Sequence, residues 1–212
     1  MKLVVFGASG RVGGSLVRQA LAEGHQVVAA VRRPPAVPVR HERLDVVPAD
    51  VLAAVPLTEP VTGAEAVVFA VGSPDRSTTL LYSDGVCNVV EAMRAAGVRR
   101  LICLSSTIVD VPRAGLAYRL WTRFVTEKVL RNRLLDMARM EAEVRDTGLE
   151  WTVVRLPRLR AGSGEAAAAA CRTAVGDRLD RPRPVAVHQA AQAVLRCLGD
   201  PATYRATVEI GA

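Results

Sequence analysis

Aromatic side chains are scarce in this chain: three Phe, three Tyr and two Trp among 212 residues. Without aromatics interleaved among basic residues, it lacks the stacking platforms on which single-stranded nucleic acid is held. Lysine is nearly missing as well. Lys2 and Lys128 are the only two, so arginine carries almost the whole basic side of a net charge of +7. A balance of this sign raises nucleic acid as a partner. The arginines are spread along the chain, however, and a bias toward Ala, Arg and Val accounts for them equally well, so no nucleic-acid contact is expected. Cys87, Cys103, Cys171 and Cys197 form no C-x-x-C pair and sit in apolar segments, which predicts buried reduced thiols of a cytoplasmic protein. His25, His41 and His188 are too few and too scattered for a metal cluster, and no metal is expected. No apolar run approaches the roughly 20 residues that cross a bilayer. The opening Met-Lys leads straight into a core strand, so neither a signal peptide nor a membrane contact is expected.

What is present begins at once. Leu3-Val-Val-Phe6 is an apolar strand that runs into Gly7-x-x-Gly10-x-x-Gly13 and then into a helical pattern of Val12, Leu16, Val17, Ala20 and Leu21, stopped by Gly24. A glycine turn between a buried strand and a helix start aims backbone N–H groups and the positive helix end at a phosphate. Side chains at these positions would block the turn, the approach of a pyrophosphate and the helix–strand contact. Three glycines alone are weak evidence, and an ordinary strand–turn–helix corner is the alternative. The strand before them and the helix after them supply the context that the motif requires.

Downstream, apolar strands alternate with helical stretches, which predicts a parallel sheet with helices on both faces. Strands are expected at Gln26–Val31, Glu42–Val46, Ala66–Val71, Arg100–Leu104, Trp151–Arg155 and, last, Thr207–Ile210. Arg32–Arg40 carries three prolines and reads as an irregular loop. Helices are expected over Thr79–Ala96, about Leu116–Thr147, Ala166–Ala170 and near His188–Leu198, with a poor one through Val51–Leu57 and a turn at Val175-Gly176-Asp177. With 212 residues and no separating linker, one domain is expected. Its fold class is α/β, a doubly wound parallel sheet in the order 3-2-1-4-5-6 flanked by helices, with residues 156–212 forming a small substrate side.

Four passages together resemble the atypical short-chain dehydrogenase/reductase-like proteins, and within them the biliverdin-IXβ reductase/flavin reductase and NmrA-like group. They are Gly7-x-x-Gly10-x-x-Gly13; Gly85-Val-Cys-Asn88-Val-Val-Glu-Ala-Met-Arg-Ala-Ala-Gly97-Val; Leu101-Ile-Cys-Leu-Ser105-Ser106-Thr107; and Arg139-Met140-Glu141 followed by Thr147-Gly148-Leu149 through Arg155-Leu-Pro157-Arg158. The resemblance spans roughly residues 1 to 200. It implies a Rossmann fold that binds NAD(P) and reduces a small aromatic or conjugated molecule, with Gly7, Ser9, Gly10, Arg11, Val12 and Gly13 around the cofactor's phosphates. It also implies contacts from Asp50 and Val51 to the adenine, and from Val71, Gly72, Ser105, Pro157 and Arg158 along the rest of the cofactor. In the same way it places Ser106 at the reacting end.

The ribose selector of such a fold stands at the end of the second strand. Here that place reads Val31-Arg32-Arg33, with no acid before Glu42. A guanidinium matches a phosphate bidentately, so NADP(H) is expected over NAD(H), which stays possible; a solvated arginine pair is the other reading. The Tyr-x-x-x-Lys pair of standard short-chain dehydrogenases is missing. Phe124 precedes Lys128 at that spacing, Thr122 follows Tyr118 and Val86 follows Tyr82. A standard alcohol dehydrogenase is thereby excluded, but hydride transfer to an extended π system is not, since the cofactor carries that chemistry. Ser106 could orient the nicotinamide or an acceptor carbonyl, or merely cap the next segment. Tyr118 could wall an aromatic acceptor or serve the core. Arg158 could hold an anionic substrate or belong to a solvated basic loop with Arg155 and Arg160. Gln189 stands where relatives often carry Asp. Three functions follow: an NADPH-dependent reductase of flavin-, biliverdin- or quinone-like acceptors, a non-catalytic NADP-binding sensor of the NmrA type, or an isomerase- or epimerase-like enzyme on the same fold, which the missing Tyr–Lys pair disfavours most.

Overall fold

The computed structural model describes residues 1–53, 56–72, 80–109, 131–160 and 171–212. The first strand, β1 (Lys2–Phe6), has β2 (Gln26–Val31) on one side and β4 (Ala66–Phe69) on the other, both parallel to it. With β3 (Leu44–Pro48), β5 (Arg100–Ser106), β6 (Glu150–Leu156), β8 (Arg172–Val175) and β10 (Ala206–Gly211), these strands make one eight-stranded sheet in the order β3-β2-β1-β4-β5-β6-β10-β8. The six-strand order expected from the sequence is present. It is extended by β10, parallel to β6, and by β8, antiparallel to β10. A separate two-stranded ladder pairs β7 (Leu159–Arg160) with β9 (Val185–Ala186).

Strand residues alternate between two buried faces. Leu3, Val5, Ala29 and Ile102 meet α1 (Arg11–Ala22) and α5 (Val187–Leu198). Val4, Phe6, Val67, Phe69 and Leu101 meet α3 (Ser83–Ala95) and α4 (Arg131–Arg145). Covering both faces explains why these strands read as continuous apolar runs. The chain leaves β1 toward β2 and β3, then returns through α2 (Thr58–Val61) to build outward through β4, β5 and β6. The reversal between β1 and β4 opens a crevice at their carboxyl ends, the place where doubly wound sheets bind ligands.

The boundaries differ from the sequence expectation where local hydrogen bonding intervenes. β3 starts at Leu44 rather than Glu42 because the Leu44 amide donates to the His41 carbonyl in a turn. β4 ends at Phe69: the Ala70 amide still reaches Phe6, after which Val71 turns away beside Gly7. The helix expected at Val51–Leu57 is replaced by an Asp50 turn, whose carboxylate accepts from the Leu52 amide, and by the short α2. Pro60 lies in the first turn of α2, where no N–H is needed. α3 begins at Ser83 because Asp136 of α4, 1% exposed, caps it from outside. The Asp136 carboxylate accepts from the Tyr82 amide at 2.9 Å, the Ser83 amide at 3.1 Å and the Ser83 hydroxyl at 2.6 Å. Thr79, the first part of the Leu116–Thr147 helix and Ala166–Ala170 lie outside the described residues. In α5, Gln189 takes up the helix-entry role: its Oε1 accepts from the Ala186 amide at 2.9 Å, as an acid would.

Candidate functional site

The glycine turn lies at the carboxyl end of β1. Gly7 has φ +83°, and a Cβ on it would lie 2.4 Å from the Ala70 carbonyl oxygen and 2.8 Å from the Val71 nitrogen. A Cβ on Gly13 would lie 2.3 Å from the Gly7 carbonyl oxygen. Those two glycines let three backbone segments meet: the turn, the start of α1 and the exit of β4. Gly10 precedes α1 in an extended conformation, no side chain caps the helix, and its first turn carries no acid. The helix start is thus a set of amide donors and a positive dipole end with no acid in its first turn to neutralise it. Ser9, Gly10 and Arg11 are exposed there, whereas Val12 and Gly13 are buried. Ser9, Gly10 and Arg11, together with Ala36–Val39 of the proline loop, bound an open cavity of about 350 Å³.

On the β2 side, Val31 is buried and Arg32 and Arg33 are exposed, with no acidic side chain between them and Glu42. Asp50 and Val51 follow β3. The Val51 carbonyl accepts from the Asn88 side-chain amide at 2.7 Å, and a Cβ on Gly85 would lie 2.9 Å from a Val51 methyl. Asn88 and Gly85, one helical turn apart on α3, therefore hold the Asp50–Val51 corner in place. Across the crevice, Val71 is half-buried and Gly72 exposed, with no described residue within 4 Å of the position a Gly72 Cβ would take.

At the carboxyl end of β5 the two serines part. Ser106 is partly exposed, and among the described residues its Oγ accepts a long 3.4 Å contact from the Ile108 amide. Ser105, 4% exposed, points to the other face, where its hydroxyl donates to Glu141 at 2.6 Å. Its hydroxyl is thus engaged within the protein, whereas that of Ser106 is on the partly exposed side of the strand end. Glu141 itself is 1% exposed and holds Arg155 through bonds of 3.0 and 2.7 Å and Arg145 at 2.8 Å. Burial on its own would raise the Glu141 carboxyl's pKa. The hydrogen bonds from Arg155 and Ser105, the Arg155 charge and the Arg145 bond outweigh it, and the net direction is downward. The sequence shows Glu141 only as part of a resembling passage; nothing local marks it as the tie between α4, β5 and β6.

Pro157 is buried and Arg158 exposed just beyond β6. Tyr118 lies outside the described residues. Burial pushes the Cys103 thiol far up and that of Cys197 to about 11, so neither is a thiolate nucleophile at neutral pH. Among the described residues no group of His, Cys, Asp and Glu could hold a metal ion, and no helix is long and apolar enough to cross a membrane.

Comparison with known proteins agrees with this geometry. Residues 7–201 match a family model described as NAD(P)H-binding. Uncharacterised proteins of Mycobacterium tuberculosis (strain H37Rv) and Mycobacterium bovis are 29% identical over 156 residues, 73% of this chain; the match spans only 14% of their own length. The oxidoreductase ylbE of Lactococcus lactis superposes with a TM-score of 0.81 at 19% identity, covering 100% of this chain and 90% of that one. A short-chain dehydrogenase/reductase of Veillonella parvula in complex with NADP gives 0.80 at 17% identity, covering 100% and 94%. A Rossmann-fold NAD(P)-binding family protein of Shigella flexneri gives 0.75 at 16% identity, covering 99% and 92%. These structures share the fold, and the family match covers the glycine turn and the whole described crevice: the chain belongs to the NAD(P)H-binding family of Rossmann-type proteins.

Proposed function

We propose that this chain is an NADPH-dependent reductase that delivers hydride to a flat conjugated acceptor of flavin, biliverdin or quinone type. The observation that carries the reading is the partly exposed Ser106 hydroxyl at the carboxyl end of β5, one strand beyond the β1–β4 crevice. NADPH supplies the hydride. The chain's residues supply position: Gly7–Gly13 and the start of α1 grip the pyrophosphate, and Asp50–Val51, anchored by Asn88, flank the adenine. Ser106 donates or accepts one hydrogen bond that sets the ring or the acceptor at the reacting end. Val71, Gly72, Pro157 and Arg158 line the remainder. An extended π acceptor collects its proton from solvent, so no Tyr–Lys pair is needed.

Turnover tests this. NADPH oxidation is followed with FMN, a biliverdin and simple quinones as acceptors. Ser106→Ala is expected to lower the rate while leaving the NADPH dissociation constant nearly unchanged, because the pyrophosphate grip lies two strands away. Tyr118→Phe is expected to change the rate far less than the 10²–10⁴-fold of a lost general acid. Tight NADPH binding without oxidation on any acceptor would instead establish the sensor.

Arg32 and Arg33, exposed just after β2 with no acid before Glu42, support NADPH as the cofactor, since a guanidinium matches a 2′-phosphate. Losing one charge-assisted phosphate contact costs about 1.5–3 kcal/mol, roughly tenfold to a hundredfold in affinity. Titration should show NADPH bound that much tighter than NADH by the wild type. The Arg32→Ala/Arg33→Ala variant should have lost the difference. Equal affinities in the wild type would refute the assignment.

A further inference from the structure

The parallel ladder of β7 and β9 shapes a second open cavity, of about 600 Å³, beyond the carboxyl end of β6. Arg158, Arg160 and Arg183 stand around it, with Leu159 and Pro184 as its apolar wall. Arg158 and Arg160 share one side of the short strand by its two-residue period. The Val185 amide donates to the Arg158 carbonyl at 3.2 Å, which brings Arg183, two residues before Val185, to the same end of the ladder. All three arginines are exposed; Ala212, whose amide donates to the Arg183 carbonyl at 3.3 Å, completes the described lining, which holds no acidic side chain. Asp177, on the loop that leads to β9, accepts from the Arg178 amide at 2.7 Å.

Three guanidinium groups around an apolar-walled cavity repel one another until an anion enters, and each offers planar paired donors to a carboxylate or phosphate. The cofactor's own phosphates do not reach here. The glycine turn follows β1 and Arg32–Arg33 follow β2, which lie three and four strands from β6. At about 4.8 Å per strand that is roughly 14–19 Å. The reacting end is much closer. Leu156 is the register partner of Ser106, and Arg158 is two residues further along, about 7 Å of extended chain.

We infer that this cavity is the subsite for an anionic group of the acceptor, so that the substrate is a conjugated ring system carrying a carboxylate or phosphate. The inference rests on the reductase reading for what the rest of the substrate is. The binding of an anion at Arg158, Arg160 and Arg183 does not depend on turnover.

FMN and riboflavin share one ring system and differ by a phosphate, so their ratio of affinities isolates the subsite. Flavin fluorescence titrated into protein saturated with NADP⁺ keeps the cofactor's phosphate sites filled and prevents turnover. FMN is expected to bind at least about tenfold tighter than riboflavin. That ratio should fall to near one in Arg160→Ala/Arg183→Ala and be largely retained in Arg160→Lys/Arg183→Lys. Competition by inorganic phosphate or by propionate against FMN identifies which anion the site prefers. Equal binding of FMN and riboflavin, or a ratio that survives the alanine variant, overturns the inference. The reductase reading fails separately, if NADPH is not oxidised although the FMN preference and its loss in the alanine variant are both seen.

Discussion

Gly7→Ala is expected to unfold much of the protein's stability and to abolish cofactor binding. Two independent penalties fall on one methyl group. The backbone at Gly7 is left-handed, at φ +83°, where a residue with a Cβ is strained by about 1–2 kcal/mol. The added carbon would also lie 2.4 Å from the Ala70 carbonyl oxygen, a backbone atom fixed by the Ala70 amide's bond to Phe6. Forcing atoms into such a packed site costs typically about 1–3 kcal/mol more. The sum is a large share of the about 5–15 kcal/mol that holds an ordinary domain together. Relief would push β4's exit and the glycine turn apart and so open the phosphate cradle. Urea unfolding and NADPH titration read both effects. Gly72→Ala is the internal control for stability: no described residue lies within 4 Å of its Cβ position, and its unfolding midpoint should stay close to wild type. Similar unfolding curves for the two variants would contradict the packing described at the turn.

Glu141→Gln is expected to destabilise the protein by about 3–5 kcal/mol, since it leaves the largely buried Arg155, and with it the more exposed Arg145, without the carboxylate that neutralises them. Removing both charges is expected to cost less than removing one, so Glu141→Met/Arg155→Met should be more stable than Glu141→Gln. The pH dependence has a definite sign. The folded carboxyl has a lowered pKa, so its contribution is full above the ordinary carboxylate pKa. It declines as pH falls through that range and is lost below the folded-state value. Denaturant unfolding from neutral to acid pH should show a decline in the wild type that is partly missing in Glu141→Gln. A variant with wild-type stability and an unchanged acid decline would remove Glu141 from the account.

The contrast between Gly7 and Glu141 shows what a sequence can disclose. The glycine turn is legible because its constraint is written locally, in missing side chains between an apolar strand and a helical stripe. The doubly wound order follows from strand–helix alternation for the same reason. Glu141 has partners 14 and 36 residues away, and Asp136 caps a helix start 53 residues before it. Such pairs exist only once the strands and helices have packed, and no spacing announces them. β8 was not legible because its Arg172-Thr-Ala-Val175 is largely exposed and has no apolar rhythm. The choice between Ser105 and Ser106 was available in principle: Ser105 lies two residues from Cys103, on the face that meets α3 and α4, so strand alternation turns Ser106 the other way. Asn88 carried a similar signal, a half-buried polar residue one turn after Gly85, beside the apolar Val89 and Val90 of α3.

The central claim is that the amides at the start of α1 hold the pyrophosphate of a dinucleotide between the exits of β1 and β4. Amide resonances of ¹⁵N-labelled protein, followed while NADPH is added, test it most directly. The account predicts that the largest shifts fall on Gly7–Gly14 and on Val71 and Gly72, and that all saturate together at one equivalent of cofactor. Shifts confined to other parts of the sheet, or none at the glycine turn when binding is complete, would contradict it.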